Sequence, residues 1–296
     1  HGEDVRAFIK TGTSEETISE LNGEMERVYG DIRNPDDVMK AVKDCEKVYH
    51  LAAFCQFWHP NINIFHDVNV NGTRNVAFAS KANNVRKIVH TSTCSIMGMK
   101  QKNQGIEGNE EGFPKDESEL DGPYSRSKFL SELELAAALD KSDVEYSIVH
   151  PTIPLGEYDS APSDQGKMIR NFLKGELGGF IERRMNFVNM KDCAFGHYLA
   201  MEKGRHRERY ICGGENIMMS GFFSLLAEHA KTEIPKLKVP YFIAYMFALA
   251  SENISKITGK EPIATLEGVR QIRDSYAYSI EKAKRELGYK PEPIED

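Results

Sequence analysis

Lys87-Ile-Val-His-Thr-Ser-Thr93 and, some thirty positions on, Tyr124-Ser-Arg-Ser-Lys128 are the two stretches on which the reading of this chain turns. The first is apolar and rich in β-branched residues, as a strand is. On a helix, the second puts a phenol and an ammonium on one face, one turn apart. Free tyrosine has a pKa of about 10, so bringing it to roughly 7 takes about 4 kcal/mol. A cation ~4 Å away at an effective dielectric near 20 supplies about that much. The spacing therefore predicts a phenol, acidified by Lys128, that exchanges a proton at neutral pH. The pattern recurs at Tyr278-Ser-Ile-Glu-Lys282, which reads as the start of a terminal helix. What surrounds each copy separates them.

Working outward, apolar strands alternate with helical stretches through the first half, which predicts an α/β fold with a parallel sheet. Strands are expected at 4–9, 25–29, 47–52, 86–91 and 145–149. Helices are expected from Pro35 to about Asp44, from about Ile62 to Ala82 with Phe65, Val68, Val76 and Phe78 among its apolar positions, and through Tyr124 and Lys128. Pro35 suits a first helical turn. After Pro151 the pattern changes to short strands, 187–189 and 209–211, between helices. The expected organisation is a nucleotide-binding domain over 1–150 and a smaller substrate lobe over 151–296, interleaved with the first, with a ligand cleft between them.

Gly30-Asp31-Ile32, His50-Leu-Ala-Ala53, Asn69-Val-Asn-Gly-Thr73, Thr91-Ser-Thr93, Tyr124 to Lys128 and Pro151-Thr-Ile-Pro-Leu-Gly156 follow in that order. Jointly they resemble the motifs of the extended short-chain dehydrogenase/reductase family, the group of nucleotide-sugar epimerases and dehydratases and of dihydroflavonol reductases. The resemblance runs over nearly the whole chain, and from Pro151 through Lys167-Met-Ile it is similar to the hopanoid-associated sugar epimerase branch. It implies a doubly wound Rossmann-type sheet and NAD(P)-dependent chemistry at a carbinol or ketone carbon. The substrate it implies is sugar-nucleotide-like, with a dihydroflavonol-type ketone reductase as the alternative. That family opens with a strand, a glycine-rich turn and a helix, whereas this sequence opens at His1-Gly2-Glu-Asp-Val5, which resembles the entry to the second strand. About 25 residues fewer than the family pattern are expected ahead of His1. In a 3-2-1-4-5-6 sheet this leaves two neighbouring strands unpaired and a gap between them. A truncated record is the preferred reading, and a short homologue without cofactor is the other. A non-catalytic nucleotide-binding regulator is the alternative of a different class.

The resemblance assigns proton transfer to Tyr124, pKa tuning and a nicotinamide-ribose bond to Lys128, and a substrate-orienting hydroxyl to Thr93, in register with Gly98 and with Ser92 as neighbouring candidate. Asn69 would support a water relay or hold the strand–helix geometry. Asp31 would accept from the adenine amino group, with Ile32 packed beside the base. Leu51, Ala52 and Ala53 would let the backbone pass close to the cofactor, joined by Thr91, Pro151 and Ile153 near the nicotinamide. His50 reads as a buried structural histidine and Asp192 as a helix N-cap. No acid ends the strand Phe8-Ile-Lys10 before Glu15, so Lys10 leans the cofactor from NAD toward NADP.

A net charge of −7 without a basic run excludes nucleic acid as the expected partner. Five cysteines, Cys45, Cys55, Cys94, Cys193 and Cys212, with no Cys-x-x-Cys pair, point to reduced thiols in a cytoplasmic protein and to no metal. The longest apolar run, Tyr241 to Ala250, is too short to span a bilayer and reads as a pocket-roofing helix. Leu130, Leu133, Ala137 and Leu139 suggest a homodimer through helices near 62–82 and 123–140.

Overall fold

The computed structural model describes residues 3–14, 18, 25–98, 105–157, 159, 163–273 and 275–294. The turn read at His1-Gly2, and Glu15, lie outside them.

Four parallel strands form the central sheet in the order β3 (Lys47–His50), β4 (Lys87–Thr91), β5 (Glu145–Pro151) and β8 (Arg209–Cys212), numbered by position in the chain. Side chains alternate between its faces. Ile88, Tyr146 and Ile148 join one cluster with Val76, Ala79, Leu135 and Leu139. Val89, Val149 and Ile211 join the other, with Leu199, Met201, Ala283 and Leu287. The first cluster is roofed by two helices. One is α2, running from Asn63–Phe65 through a π-turn at His66–Asn71 into Gly72–Ala82. The other is α3 (Pro123–Ala138). Strands of a sheet covered on both faces read as continuous apolar runs, which is why β4 and β5 stood out in the sequence.

The first two strands, β1 (Arg6–Lys10) and β2 (Glu26–Gly30), pair in parallel with each other and form a separate two-stranded sheet. Side chains tie that ribbon to the rest. Lys47 at the start of β3 reaches Glu3 at 2.6 Å, and Asn75 of α2 donates to the Ile32 carbonyl at 2.9 Å. Helix α1 (Pro35–Val42), capped by Asn34, packs Val38 and Val42 into the same cluster as Ile32. The gap expected in the sheet is thus present between the described strands.

A third sheet of β6 (Ile153–Leu155), β7 (Arg184–Asn189) and β9 (Glu215–Met218) follows, with β7 parallel to β6 and antiparallel to β9. The remaining helices are α4 (Asp164–Leu173), α5 (Met190–Lys203), α6 (Met219–Ala230), α7 (Tyr241–Thr258), α8 (Leu266–Gln271) and α9 (Glu281–Leu287), of which α5 and α9 pack on the central sheet. Two details differ from the sequence reading. Asn189, not Asp192, caps α5, its side chain accepting from the Lys191 N–H at 2.9 Å; Asp192 instead accepts from the Glu292 N–H. Phe78 is half exposed on the outer face of α2, while Leu139 is core rather than surface.

Candidate active site

The carboxyl ends of β3, β4 and β5 deliver Leu51, Thr93 and Pro151 to one edge of the sheet, where open α/β sheets bind their ligands. Helix α3 starts beside that edge and carries Tyr124 in its first turn. The Thr93 hydroxyl lies near enough to the Tyr124 phenol to lower its pKa. Thr93 Oγ1 meets Ser95 Oγ at 2.9 Å, and its hydroxyl also lies near enough to Tyr276 to lower that phenol's pKa. Tyr276 in turn lies edge-on to Tyr278, ring centroids 5.0 Å apart. Phe57, from the loop after β3, stands edge-on to the Tyr124 ring at 5.6 Å.

Lys128, one turn along α3, is buried and donates from Nζ to the Thr91 carbonyl at 2.7 Å. Burial lowers its pKa to about 8, with Cys55 and Glu132 opposing. The Tyr124 hydroxyl is not acidified: burial holds its pKa well above the ordinary tyrosine value, the nearby Cys55 thiol pushes the same way, and the Thr93 hydroxyl lowers it only in part. Here desolvation outweighs the one-turn spacing to Lys128, whose ammonium is engaged at the end of β4. In this state the phenol is a protonated donor.

The start of α3 is held by a residue far away in the chain. Glu267 of α8 accepts from the Tyr124 N–H at 3.0 Å, from the Ser125 N–H at 2.7 Å and from the Ser125 hydroxyl at 2.6 Å. A carboxylate at a helix N-terminus satisfies free N–H groups and complements the helix dipole. A Cβ at Gly122 would meet that carboxylate directly, so glycine is required there by space.

Asn69 lies in the π-turn and is fully engaged. Its Oδ1 accepts from the Phe54 N–H at 2.7 Å, while Nδ2 donates to the Phe54 carbonyl and to Ser127 Oγ at 2.8 Å. It therefore fastens the loop after β3 to α3. His50 is buried, contacts Thr73 Oγ1 at 2.9 Å and is pushed by burial to a pKa of about 3. His150 sits beneath the site, with Nδ1 against the Thr93 carbonyl at 2.9 Å and Nε2 3.2 Å from Glu132, whose other oxygen takes Arg209 at 2.7 Å. Tyr278, of the second Tyr-x-x-x-Lys pair, is buried and donates to the Cys94 carbonyl, while Lys282 pairs with Glu208.

The positions assigned to a dinucleotide fall into two groups. Thr91, Tyr124, Lys128, Pro151 and Ile153 gather at the ends of β4 and β5. Lys128 is an ammonium with three donors and a single carbonyl contact given above, which suits a ribose. Leu51 and Ala52 are exposed at the end of β3, leaving an open surface for a cofactor to cross. At the far side Asp31 is held by Arg33, whose Nε lies 2.9 Å from Oδ1, and its pKa falls to about 2. Ile32 is core rather than open to a base. Lys10 is exposed at the end of β1, with its charge acting on Asp31. No glycine-rich turn stands at a helix start beside this edge among the described residues.

Beside the hydroxyl cluster lies an apolar cavity of about 560 Å³. Ile153, Met185, Phe187 and Phe223 form its floor, and Ile243 and Phe247 of α7 its roof. Met185 is bridged to Tyr276, whose phenol lies near the Thr93 hydroxyl, and Val269 in the wall shares helix α8 with Glu267. Glu267, Tyr276 and Phe57 escaped sequence reasoning. Only the long-range fold brings them to Tyr124.

Residues 1–213 match the model of the NAD dependent epimerase/dehydratase family, and the chain belongs to that family. It is 30% identical to sterol demethylase protein B of Methylococcus capsulatus, over 98% of this chain and 87% of that protein. It is 29% identical to a Synechocystis protein named "Putative dihydroflavonol 4-reductase", over 97% of this chain and 83% of that one. The crystal structure of gox2253 superposes with a TM-score of 0.84 at 33% identity, covering all of this chain and 88% of that one. An NAD(P)-dependent enzyme of the extended short-chain type, on a Rossmann-type sheet, is thereby defined.

Proposed function

We propose that this chain interconverts a ketone and a secondary alcohol on a molecule with a large apolar body, with Tyr124 as the proton-transferring residue. When bound, NAD or NADP supplies or takes the hydride. Tyr124, held protonated by burial, gives its proton to the ketone oxygen. Thr93, beside the same hydroxyl, positions that oxygen and shares its developing charge. Lys128 keeps donors for the nicotinamide ribose, and Asn69 holds the loop that lies over the site. Lys10 gives no firm ground for NADP, because Asp31 is close enough to offset its charge.

The observation that carries the substrate class is the cavity. Its lining includes no lysine or arginine among the described residues, only Asp164 and Gln165 beside apolar side chains. A sugar nucleotide brings a diphosphate, and burying that charge without cationic partners is costly. An apolar skeleton, by contrast, gains from the same surface. The names of the two curated relatives, a sterol demethylase component and a dihydroflavonol reductase, fit polycyclic skeletons. The ketone-reductase reading is therefore preferred to sugar epimerisation. A non-catalytic role leaves the Tyr124–Thr93–Tyr276 cluster without a purpose.

The test is a panel of polycyclic and long-alkyl ketones against UDP-sugars, read by nicotinamide absorbance. Turnover of apolar ketones is expected. Epimerisation of a UDP-sugar with no ketone turned over would overturn the substrate assignment.

A further inference from the structure

Helix α7 is amphipathic the wrong way round for a helix in water. Its buried side carries Ala248, Ser251 and Ser255. Its exposed side carries Phe242, Ile243, Met246, Phe247, Ile254 and Ile257, with exposures from 46% to 86%. At 100° per residue these six, with Ala250 and Asn253, form a continuous stripe about 140° wide. Ile263, 88% exposed, follows the end of the helix.

The polar side is already used within the protein. Ser251 Oγ accepts from the Ile263 N–H at 2.8 Å, and Glu252 accepts from the Leu266 N–H at 2.7 Å. Ser255 donates to the Lys260 carbonyl. These bonds fix the orientation, so the apolar stripe faces outward by construction. Large exposed apolar patches mark interaction surfaces.

We propose that this face docks on an anionic lipid surface, with α7 lying in the interface plane and the cavity opening toward the lipid. The substrate side of the argument rests on the ketone-reductase reading above; the surface itself does not. Two observations select lipid. Residues 231–260 hold five lysines (Lys231, Lys236, Lys238, Lys256 and Lys260) against two glutamates in a chain of net charge −7. All five are exposed, and Lys256 flanks the stripe, where a lysine can reach headgroups while its stem stays on apolar surface. Second, Ile243 and Phe247 belong both to the exposed stripe and to the cavity roof. An apolar substrate dissolved in lipid thus meets the cavity mouth without crossing water. No helix of the described residues is long and apolar enough to cross a membrane, so this is a surface contact.

The experiment is flotation of the full chain, without cofactor or substrate, on vesicles of phosphatidylcholine with and without phosphatidylglycerol. Phe242→Glu and Ile257→Glu lie outside the cavity lining, and circular dichroism checks that they fold. Binding to the phosphatidylglycerol vesicles is expected, with each apolar-to-acidic change weakening partition by at least about tenfold. Lys256→Glu should weaken it by about fivefold or more, and only on anionic vesicles. No binding to either vesicle would overturn the proposal. So would a dimer, seen by light scattering, that Phe242→Glu dissociates. A failed ketone assay with intact flotation would sink the substrate reading alone.

Discussion

Glu267→Ala tests how the proton-transferring residue is positioned. The substitution leaves the Tyr124 and Ser125 N–H groups without their acceptor at 3.0 and 2.7 Å, while the Ser125 hydroxyl retains the Gly122 carbonyl at 3.3 Å. Each buried N–H left unpaired costs about 1–3 kcal/mol. Against this stands the relief of no longer burying a carboxylate, whose pKa is raised by its desolvation. The balance is a loss of about 3 kcal/mol in urea unfolding. Because Tyr124 sits in the loosened turn, its hydroxyl shifts relative to Thr93. A misplacement of about 1 Å costs up to roughly 100-fold, so kcat should fall about 10- to 100-fold while KM moves little. Glu267→Gln, which keeps one acceptor oxygen, should recover about half of the stability loss. A variant within about 0.5 kcal/mol of the parent, with unchanged kcat, would refute the reasoning.

The remaining predictions do not depend on Glu267. His50 has a folded pKa of about 3 against an unfolded value near 6.5, so the unfolded chain takes up the extra proton in that window. Its contribution is complete above about pH 7.5 and is lost as the pH falls toward 3, the loss reaching about 1.4 kcal/mol at pH ~5.5. Urea midpoints at about pH 7.5 and pH ~5.5, in the parent and in His50→Gln, should show the pH dependence flattened by about that amount; equal slopes contradict it. Asn69→Ala removes three hydrogen bonds and should cost about 2–3 kcal/mol, with faster amide exchange at Phe54 as the local signature. Ala244→Trp fills the cavity roof and should abolish turnover of polycyclic ketones while sparing small ones; unchanged polycyclic turnover places the substrate elsewhere.

Much of this architecture was legible because local pattern and burial agree. The runs around Ile88 and Ile148 are apolar on both faces, which only a covered parallel strand requires, and Tyr124 and Lys128 could be placed on one helix from their spacing. The site was less legible wherever burial or distance decides. The spacing predicts an acidified phenol, but burial in the folded chain raises its pKa, and no local pattern encodes that burial. Glu267 lies 142 positions from Ser125 and carries no motif. Asp192 has the residue type of an N-cap, yet Asn189 stands at the strand–helix junction itself. The outward face of α7 looked in sequence like any pocket-roofing helix, since apolar residues alone do not say which side faces water.

The most direct measurement is single-turnover hydride transfer in Tyr124→Phe, followed by nicotinamide absorbance with cofactor binding measured separately. Loss of the hydroxyl leaves the ring against Phe57 and removes only the proton donor beside Thr93. The account predicts normal binding and a transfer rate lower by about 100-fold or more. Hydride transfer at the parental rate would contradict it.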